Sequence, residues 1–121
     1  MPTNRFLERA ERTQNLTRSH RRAPKQEREI AHRVGGRVTP GSGARDVKGD
    51  VRVKGLLRIE CKTTKNKSFS VTQEMLEKIE MAACSGGEMP VLIIEFIDDQ
   101  GRKLKEVAVC PTYVLEALTQ E

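Results

Sequence analysis

The feature that most constrains the fold is an apolar run in the last third of the chain. Residues 91–97 read Val-Leu-Ile-Ile-Glu-Phe-Ile, follow Pro90 and contain one charged side chain. A strand with one wet face alternates polar and apolar residues, whereas a nearly continuous apolar run of this length is typical of a strand covered on both faces. We therefore expect a buried central strand in a sheet that is flanked by helices.

The composition limits the size and the kind of core. Of 121 residues, 36% are hydrophobic, with no Trp, one Tyr and three Phe, so we expect one domain with a modest, aliphatic core. No apolar run approaches the ~20 residues of a membrane span, and the N-terminus lacks the apolar stretch of a signal peptide. Three widely spaced cysteines, without a CxxC pair or a nearby histidine, argue against a zinc finger and favour a reduced, cytoplasmic setting.

A period-two alternation over residues 46–64 predicts two strands joined by a tight turn around Gly55. A three-residue loop, residues 54–56, sets Val51 opposite Ile59 and leaves every apolar side chain on one face. A two-residue loop would mix the two faces. We therefore expect the longer loop, with Gly55 at a positive φ.

Helix signals complete the pattern. Pro24 is tolerated in a first helical turn, and Gly35 stops the helix that follows it. A capping box, Ser70-x-x-Gln73, predicts the start of a second helix. The predicted elements are a helix over 25–34, a strand over 37–39, the hairpin, a helix ending at Gly86, strands over 91–97 and 104–109, and a helix over 111–119. The order α-β-β-β-α-β-β-α indicates an α/β fold with a central mixed sheet, in which the β-α-β step over 56–97 makes two strands parallel.

The positive charge is concentrated in the first part of the chain. Residues 1–72 hold 18 basic and 7 acidic side chains, a net charge of +11, and residues 73–121 hold 4 basic and 10 acidic ones, a net charge of −6. This asymmetry indicates a polyanionic partner. Residues 1–24 are Arg-rich, which is typical of a disordered tail and of a basic arm that follows a phosphate backbone. We interpret 1–24 as a flexible arm and 25–121 as the folded domain.

Three polar residues of the predicted hairpin are candidates for chemistry. Glu60 and Lys62 lie side by side on one strand face, and the register brings Asp50 to the same face. Two carboxylates this close repel, and one retains a proton unless a cation lies between them. Hard oxygen ligands suit Mg²⁺, and a nearby lysine stabilises charge on a phosphate or orients a water. The alternative is a solvated Glu–Lys pair on an exposed sheet face.

This Asp…Glu-x-Lys pattern resembles that of the PD-(D/E)xK nuclease superfamily, and within it archaeal-type and phage Holliday junction resolvases. The likeness rests on residues 24–30, 41–43, 49–51, 59–63, 68–71 and 89–96. It implies a restriction-endonuclease-like core and a Mg²⁺-dependent endodeoxyribonuclease, with Mn²⁺ as a substitute, that works as a homodimer on four-way or other branched DNA. It also implies DNA recombination and repair in the cytoplasm of a bacterial or archaeal cell, with a phage or prophage gene as one source.

The resemblance assigns roles residue by residue. The predicted catalytic residues are Glu27, Asp50, Glu60 and Lys62, and the predicted metal ligands are Asp50, Glu60, Glu27 and the backbone carbonyl of Cys61. Glu29 competes with Glu27, and because the two differ by about 200° around the helix, only one faces the site. Asp46 is a rival for Asp50 that lies further from the strand.

Basic and polar residues near the hairpin are candidates for DNA contact. The predicted DNA-binding residues are Arg21, Arg22, Lys25, Ser42, Arg45, Lys48, Lys65, Lys67 and Gln73, and the hairpin itself adds Arg52, Lys54 and Arg58. Gln73 serves equally well as a helix cap, and a solvated charged face is the alternative for the cations. The scarcity of aromatics argues against base stacking. Two other functions remain open: another nuclease of the superfamily (nicking, repair or restriction type), and a non-catalytic DNA-binding module.

Overall fold

A computed structural model describes residues 24–39 and 50–120. The described chain is an α/β domain whose element order is the predicted one. The elements are helix α1 (24–34), strands β1 (Arg37–Val38), β2 (Val51–Val53) and β3 (Leu57–Thr64), helix α2 (Gln73–Ser85), strands β4 (Met89–Ile97) and β5 (Lys103–Val109), and helix α3 (Thr112–Thr119).

The five strands form one mixed sheet in the order β1-β2-β3-β4-β5. Strands β3 and β4 are parallel and the other neighbouring pairs are antiparallel. Helix α2 makes the crossover between the parallel strands, which confirms the predicted β-α-β step. Strand β4 lies inside the sheet, and its Leu92, Ile94 and Ile97 are at most 3% exposed, so the apolar run is the buried strand that the sequence predicts.

The hairpin has the predicted register. Val51 pairs with Ile59 and Val53 pairs with Leu57, which leaves three residues in the connection. Gly55, in the middle of that connection, has a φ of 77°. This conformation is accessible to glycine at little cost, so the alternation and the turn residue together determine the register.

Helices cover both faces of the sheet. Ile30 of α1 packs in one apolar cluster with Ile59 of β3, and Ile79 of α2 packs in another with Leu92 of β4. Leu92 is the register partner of Glu60, whose side chain alternates with that of Ile59. The two clusters therefore lie on opposite faces, and Glu60 points to the face that α2 covers.

The turn after α1 packs against β2 so closely that Gly36 has no room for a side chain. Gly35 has a φ of 71°, and the N–H of Gly36 donates to the carbonyl of Ala31 at 2.8 Å, which confirms the predicted helix end. A Cβ on Gly36 would lie 2.7 Å from the carbonyl oxygen of Arg52 and 2.9 Å from Cγ2 of Val53. The end of α1 is thus held directly against the neighbouring strand.

The predicted start of α2 is wrong. The N-cap is Thr72, whose hydroxyl accepts a hydrogen bond from the N–H of Met75 at 3.1 Å. The helix begins at Gln73, so Gln73 occupies the first helical position instead of the third, and no capping box forms with Ser70. Ser70 and Thr72 are both good caps, and the sequence alone does not decide between them.

A buried carboxylate fixes the turn end of the hairpin to β4. The side chain of Glu88 is 0% exposed and accepts hydrogen bonds from Nε of Arg52 at 2.6 Å, from Nε of Arg58 at 2.9 Å and from the N–H of Gly55 at 2.9 Å. Burial alone would raise the pKa of Glu88, but these hydrogen bonds outweigh burial and hold it below the ordinary 4.5. Arg58, 11% exposed, therefore has a structural partner, and its contact with DNA stays a prediction.

We expect Glu88→Gln to destabilise the fold by ~2–4 kcal/mol, because it leaves two guanidinium groups without their buried counter-charge. Urea unfolding measures this free energy. The loss of stability should have its full size above pH 4.5, where the carboxyl is ionised in both the folded and the unfolded chain. Below pH 4.5 it should shrink, because a carboxyl with a lowered pKa stabilises the fold less as the unfolded chain's carboxyl takes up a proton.

The matched control is Glu74→Gln on α2. Glu74 pairs with Lys78 at 3.8 Å, and its side chain is 80% exposed, so its replacement should change the free energy of unfolding by less than ~0.5 kcal/mol. Equal effects of the two substitutions would contradict the role given to Glu88.

Candidate functional site

Asp50 directly precedes the first residue of β2, beside the longer strand β3. Strand β2 begins at Val51, whereas β3 continues past Ile59 to Thr64. The N–H of Cys61 lies beyond the described end of β2, and it donates to Oδ2 of Asp50 at 2.7 Å. A side-chain carboxylate thus serves as its acceptor and is held against the middle of β3.

Glu60 and Lys62 stand next to this carboxylate. Nζ of Lys62 is 3.5 Å from Oε1 of Glu60, and the side chains are 40% and 21% exposed, respectively. They follow each other on one face of β3, as the period-two pattern predicts. Asp50 interacts electrostatically with Glu60 and with Lys62. The structure therefore brings together the three hairpin residues that the sequence singles out.

Helix α1 contributes the fourth predicted residue. Burial and the negative charge of Asp50 raise the pKa of Glu27, an effect that Arg28 partly offsets. Glu29 instead lines a cavity on another side of α1, with Lys25, His32 and Arg33 among its neighbours. The helix phase thus favours Glu27 over Glu29 as the carboxylate near the hairpin.

Gln26 fastens α1 to β3, and the sequence analysis missed it. Its side chain is fully buried. Nε2 donates to the carbonyl of Lys62 at 3.1 Å, and Oε1 accepts from the hydroxyl of Thr63 at 2.7 Å. The available signal was its spacing: Gln26 precedes Ile30 by four residues and so lies on the apolar stripe of the helix.

The pKa values of the carboxylates of the site are raised above their ordinary values. Burial and then the charge of Asp50 raise the pKa of Glu60 to about 7, although Lys62 acts in the opposite direction. Burial also raises the pKa of Asp50, against the Cys61 N–H and Lys62. Because these groups lie close together and partly out of water, the cluster holds more negative charge than its surroundings stabilise.

Cys61 itself is part of the core. Its thiol is buried with Val51 and Ile59, and burial followed by the charge of Asp50 raises its pKa. The thiol therefore stays protonated and is neither a nucleophile nor a metal ligand at neutral pH. In an antiparallel ladder a residue directs its N–H and C=O to the same neighbour, so the Cys61 carbonyl is directed to the side of Asp50.

The donor chemistry of the cluster fits a hard cation. Within residues 24–39 and 50–120, no group of three or more His, Cys, Asp or Glu side chains is arranged to hold a metal ion. Mg²⁺, however, keeps several waters and needs only one or two carboxylates from a protein. Asp50 and Glu60 meet that requirement, and burial followed by the charge of Asp50 raises the pKa of Glu60 to about 7 although Lys62 lies beside it.

The predicted DNA-binding residues are only partly within the described chain. Lys25 is exposed in the first turn of α1, Lys65 and Lys67 follow the end of β3, and Gln73 is the exposed first residue of α2. Their contact with DNA stays a prediction. Five others, Arg21, Arg22, Ser42, Arg45 and Lys48, lie outside the described residues, as do most of the predicted arm and the rival Asp46.

Comparison of the chain with protein-family models gave no match, and comparison with curated proteins gave no relative of significant similarity. None of the helices in the described part of the chain is long and apolar enough to cross a membrane.

We expect Glu60→Gln to stabilise the metal-free protein in a pH-dependent way. A pKa of about 7 against an ordinary 4.5 means that ionisation of Glu60 costs stability, increasingly between pH 4.5 and 7 and fully above pH 7. The shift sets an upper limit of ~3 kcal/mol, which solvent screening of the partly exposed side chain reduces to on the order of 1–2 kcal/mol. Urea unfolding in metal-free buffer should show this gain at pH 8 and none at pH 4.

Glu74→Gln again serves as the control, because its exposed carboxylate should give no gain at either pH. If Glu60→Gln and the wild-type protein were equally stable at pH 8, the electrostatic description of the site would be wrong.

Proposed function

We propose that the chain is a divalent-metal-dependent endodeoxyribonuclease with a restriction-endonuclease-like core, which hydrolyses phosphodiester bonds in branched DNA. Mg²⁺ is the proposed cofactor, with Mn²⁺ able to replace it. In this proposal the described domain supplies the catalytic residues, and the excess positive charge of residues 1–72 holds the DNA.

One observation carries the proposal: the hydrogen bond between the Cys61 N–H and Oδ2 of Asp50, at 2.7 Å. This bond holds a carboxylate beside Glu60 and within the electrostatic reach of Lys62. Two acids and one lysine on a rigid pair of strands are the groups that phosphodiester hydrolysis with a metal requires. A solvated Glu–Lys pair does not account for a half-buried aspartate held beside it by a backbone N–H.

Each residue of the site has a distinct role in the proposed reaction. Asp50, Glu60 and the carbonyl of Cys61 would hold the cation, with Glu27 close enough to add negative charge. A cation held there would supply Lewis-acid stabilisation of the charge that develops on the scissile phosphate. Lys62, paired with Glu60 in the free protein, turns its ammonium group to the phosphate and balances its charge. Gln26 keeps α1, and with it Glu27, fixed on β3.

The homodimer is part of this proposal. A four-way junction is cut symmetrically on two strands, and the described chain offers one candidate site, so two chains are required for paired cuts. A non-catalytic DNA-binding module is the alternative from a different class, and the cleavage experiment below separates the two.

We expect metal-dependent cleavage of a four-way junction in preference to a flap, a linear duplex or a single strand of the same sequence. Asp50→Asn and Lys62→Ala should each lower the cleavage rate at least ~10²-fold, because the first removes a charged ligand of the proposed cation and the second removes charge stabilisation at the reacting phosphate. Asn retains an oxygen that accepts the Cys61 N–H, so this variant should keep its fold and still bind the junction. Gel analysis of labelled strands measures the products.

The control for these variants is Lys78→Gln, which removes an exposed lysine of α2 and should leave cleavage unchanged. Full activity of either site variant would contradict the site. Equal cleavage of all duplex forms would favour another nuclease of the superfamily, and binding without any cleavage would favour the non-catalytic module. Sedimentation of the protein with the junction should find two chains, and one chain would contradict the dimer.

We also expect Mg²⁺ to stabilise the wild-type protein against urea. At a concentration about ten times its dissociation constant, a ligand bound only to the folded state adds ~1.4 kcal/mol. The effect should be larger at pH 8 than at pH 5, because a proton on Glu60 competes with the cation. Asp50→Asn should abolish the effect, and an equal gain in that variant would place the cation elsewhere.

A further inference from the structure

A second feature of the hairpin lies at its turn end, away from the candidate site. A groove of about 580 Å³ runs between the turn after α1 and strands β1 and β2. Its lining includes Arg37 of β1, its register partner Arg52 on β2, and Lys54 directly after β2. Of its eight lining residues, all within the described chain, none is acidic.

Among the residues that the structure describes, the positive charge of this groove is only partly neutralised. Arg37 and Lys54 are exposed and have no ion-pair partner among the described residues. Arg52 shares the single carboxylate of Glu88 with Arg58, so these three side chains retain one net positive charge. The side chain of Arg52 is 37% exposed. Within the described residues, the groove therefore presents an excess of positive charge.

The shape of the groove fits a polymer better than a small molecule. Its walls include the exposed Gly35, Arg37 and Lys54, so it is open along its length and does not enclose a ligand. Its inner surface is formed where Gly36 packs directly on the backbone of β2. The lining contains no aromatic side chain for base stacking, which favours contact with a charged backbone.

The position of the groove relates it to the candidate site. Lys54 follows Asp50 by four residues along the hairpin, and a strand rises ~3.3 Å per residue, so the two are separated by about 13 Å at most. Measured along the axis of duplex DNA, this distance corresponds to about four base pairs at 3.4 Å each. A DNA backbone that passes the site would therefore reach the groove within half a turn.

We infer that the groove formed by Arg37, Arg52 and Lys54 is a second docking surface for DNA, which binds backbone phosphates about four base pairs from the scissile bond. This inference rests on the proposed function for its choice of DNA as the polyanion. The groove adds affinity without sequence preference, and its contribution depends on salt because each phosphate contact releases counter-ions.

The test measures DNA binding and is separate from cleavage. In the full chain carrying Asp50→Asn, the affinity for a fluorescent linear duplex is measured by anisotropy over a range of salt concentrations. Adding Arg37→Gln and Lys54→Gln should lower the slope of log affinity against log salt by about two, since each duplex phosphate contact contributes ~0.9. The affinity at ~0.1 M salt should fall about ten-fold.

The matched control adds Lys78→Gln and Lys105→Gln, which remove the same charge from exposed positions on α2 and β5 and should leave the slope unchanged. Unfolding midpoints of both proteins establish that each is folded. Equal slopes for the two double variants would contradict the role of the groove as a docking surface for DNA.

Cleavage by the wild-type protein decides the proposed function independently. Cleavage together with an unchanged slope refutes the groove alone, whereas a lowered slope without cleavage of any DNA form supports the groove and refutes the nuclease. If the Asp50→Asn protein binds no DNA at low salt, both proposals are wrong.

Discussion

The hydrogen bond from the Cys61 N–H to the Asp50 carboxylate is the interaction on which the candidate site depends. A buried backbone donor has to find an acceptor, and this donor lies beyond the described end of β2. Because a carboxylate accepts its hydrogen bond, satisfying the backbone also puts a negative charge beside Glu60. Burial and this neighbouring charge together raise the pKa of Glu60 to about 7, and the proposed cation would offset the repulsion between the two carboxylates.

The hairpin is polarised along its length. At its turn end, two arginines share the single buried carboxylate of Glu88, which leaves positive charge in excess. At its open end, Asp50 and Glu60 share Lys62, which leaves negative charge in excess. The acidic end of the hairpin attracts cations, and the basic end attracts anions. In the proposed function these are the metal ion and the phosphate groups of the DNA.

The sequence predicted what local patterns encode. The alternation around Gly55 determined the strand register, and the apolar run determined the interior position of β4. The start of α2 was missed because Ser70 and Thr72 are equally suitable caps, and the choice depends on how the preceding loop packs. Gln26 and Glu88 were missed for another reason: their partners lie 30 or more residues away, and no local period records such a contact.

Helix α1 is fastened at both of its ends, by the hydrogen bonds of Gln26 at the first turn and by the close packing of Gly36 on β2 after the last. Two attachment points prevent the helix from translating along the sheet and from rotating about its own axis. These two attachments therefore fix the position of Glu27 around the helix axis. Because the helix is rigid, a displacement at one end also moves the other end. A bulkier residue at position 36 would therefore shift the carboxylate of Glu27, about 13 Å away, although nothing next to Glu27 had changed.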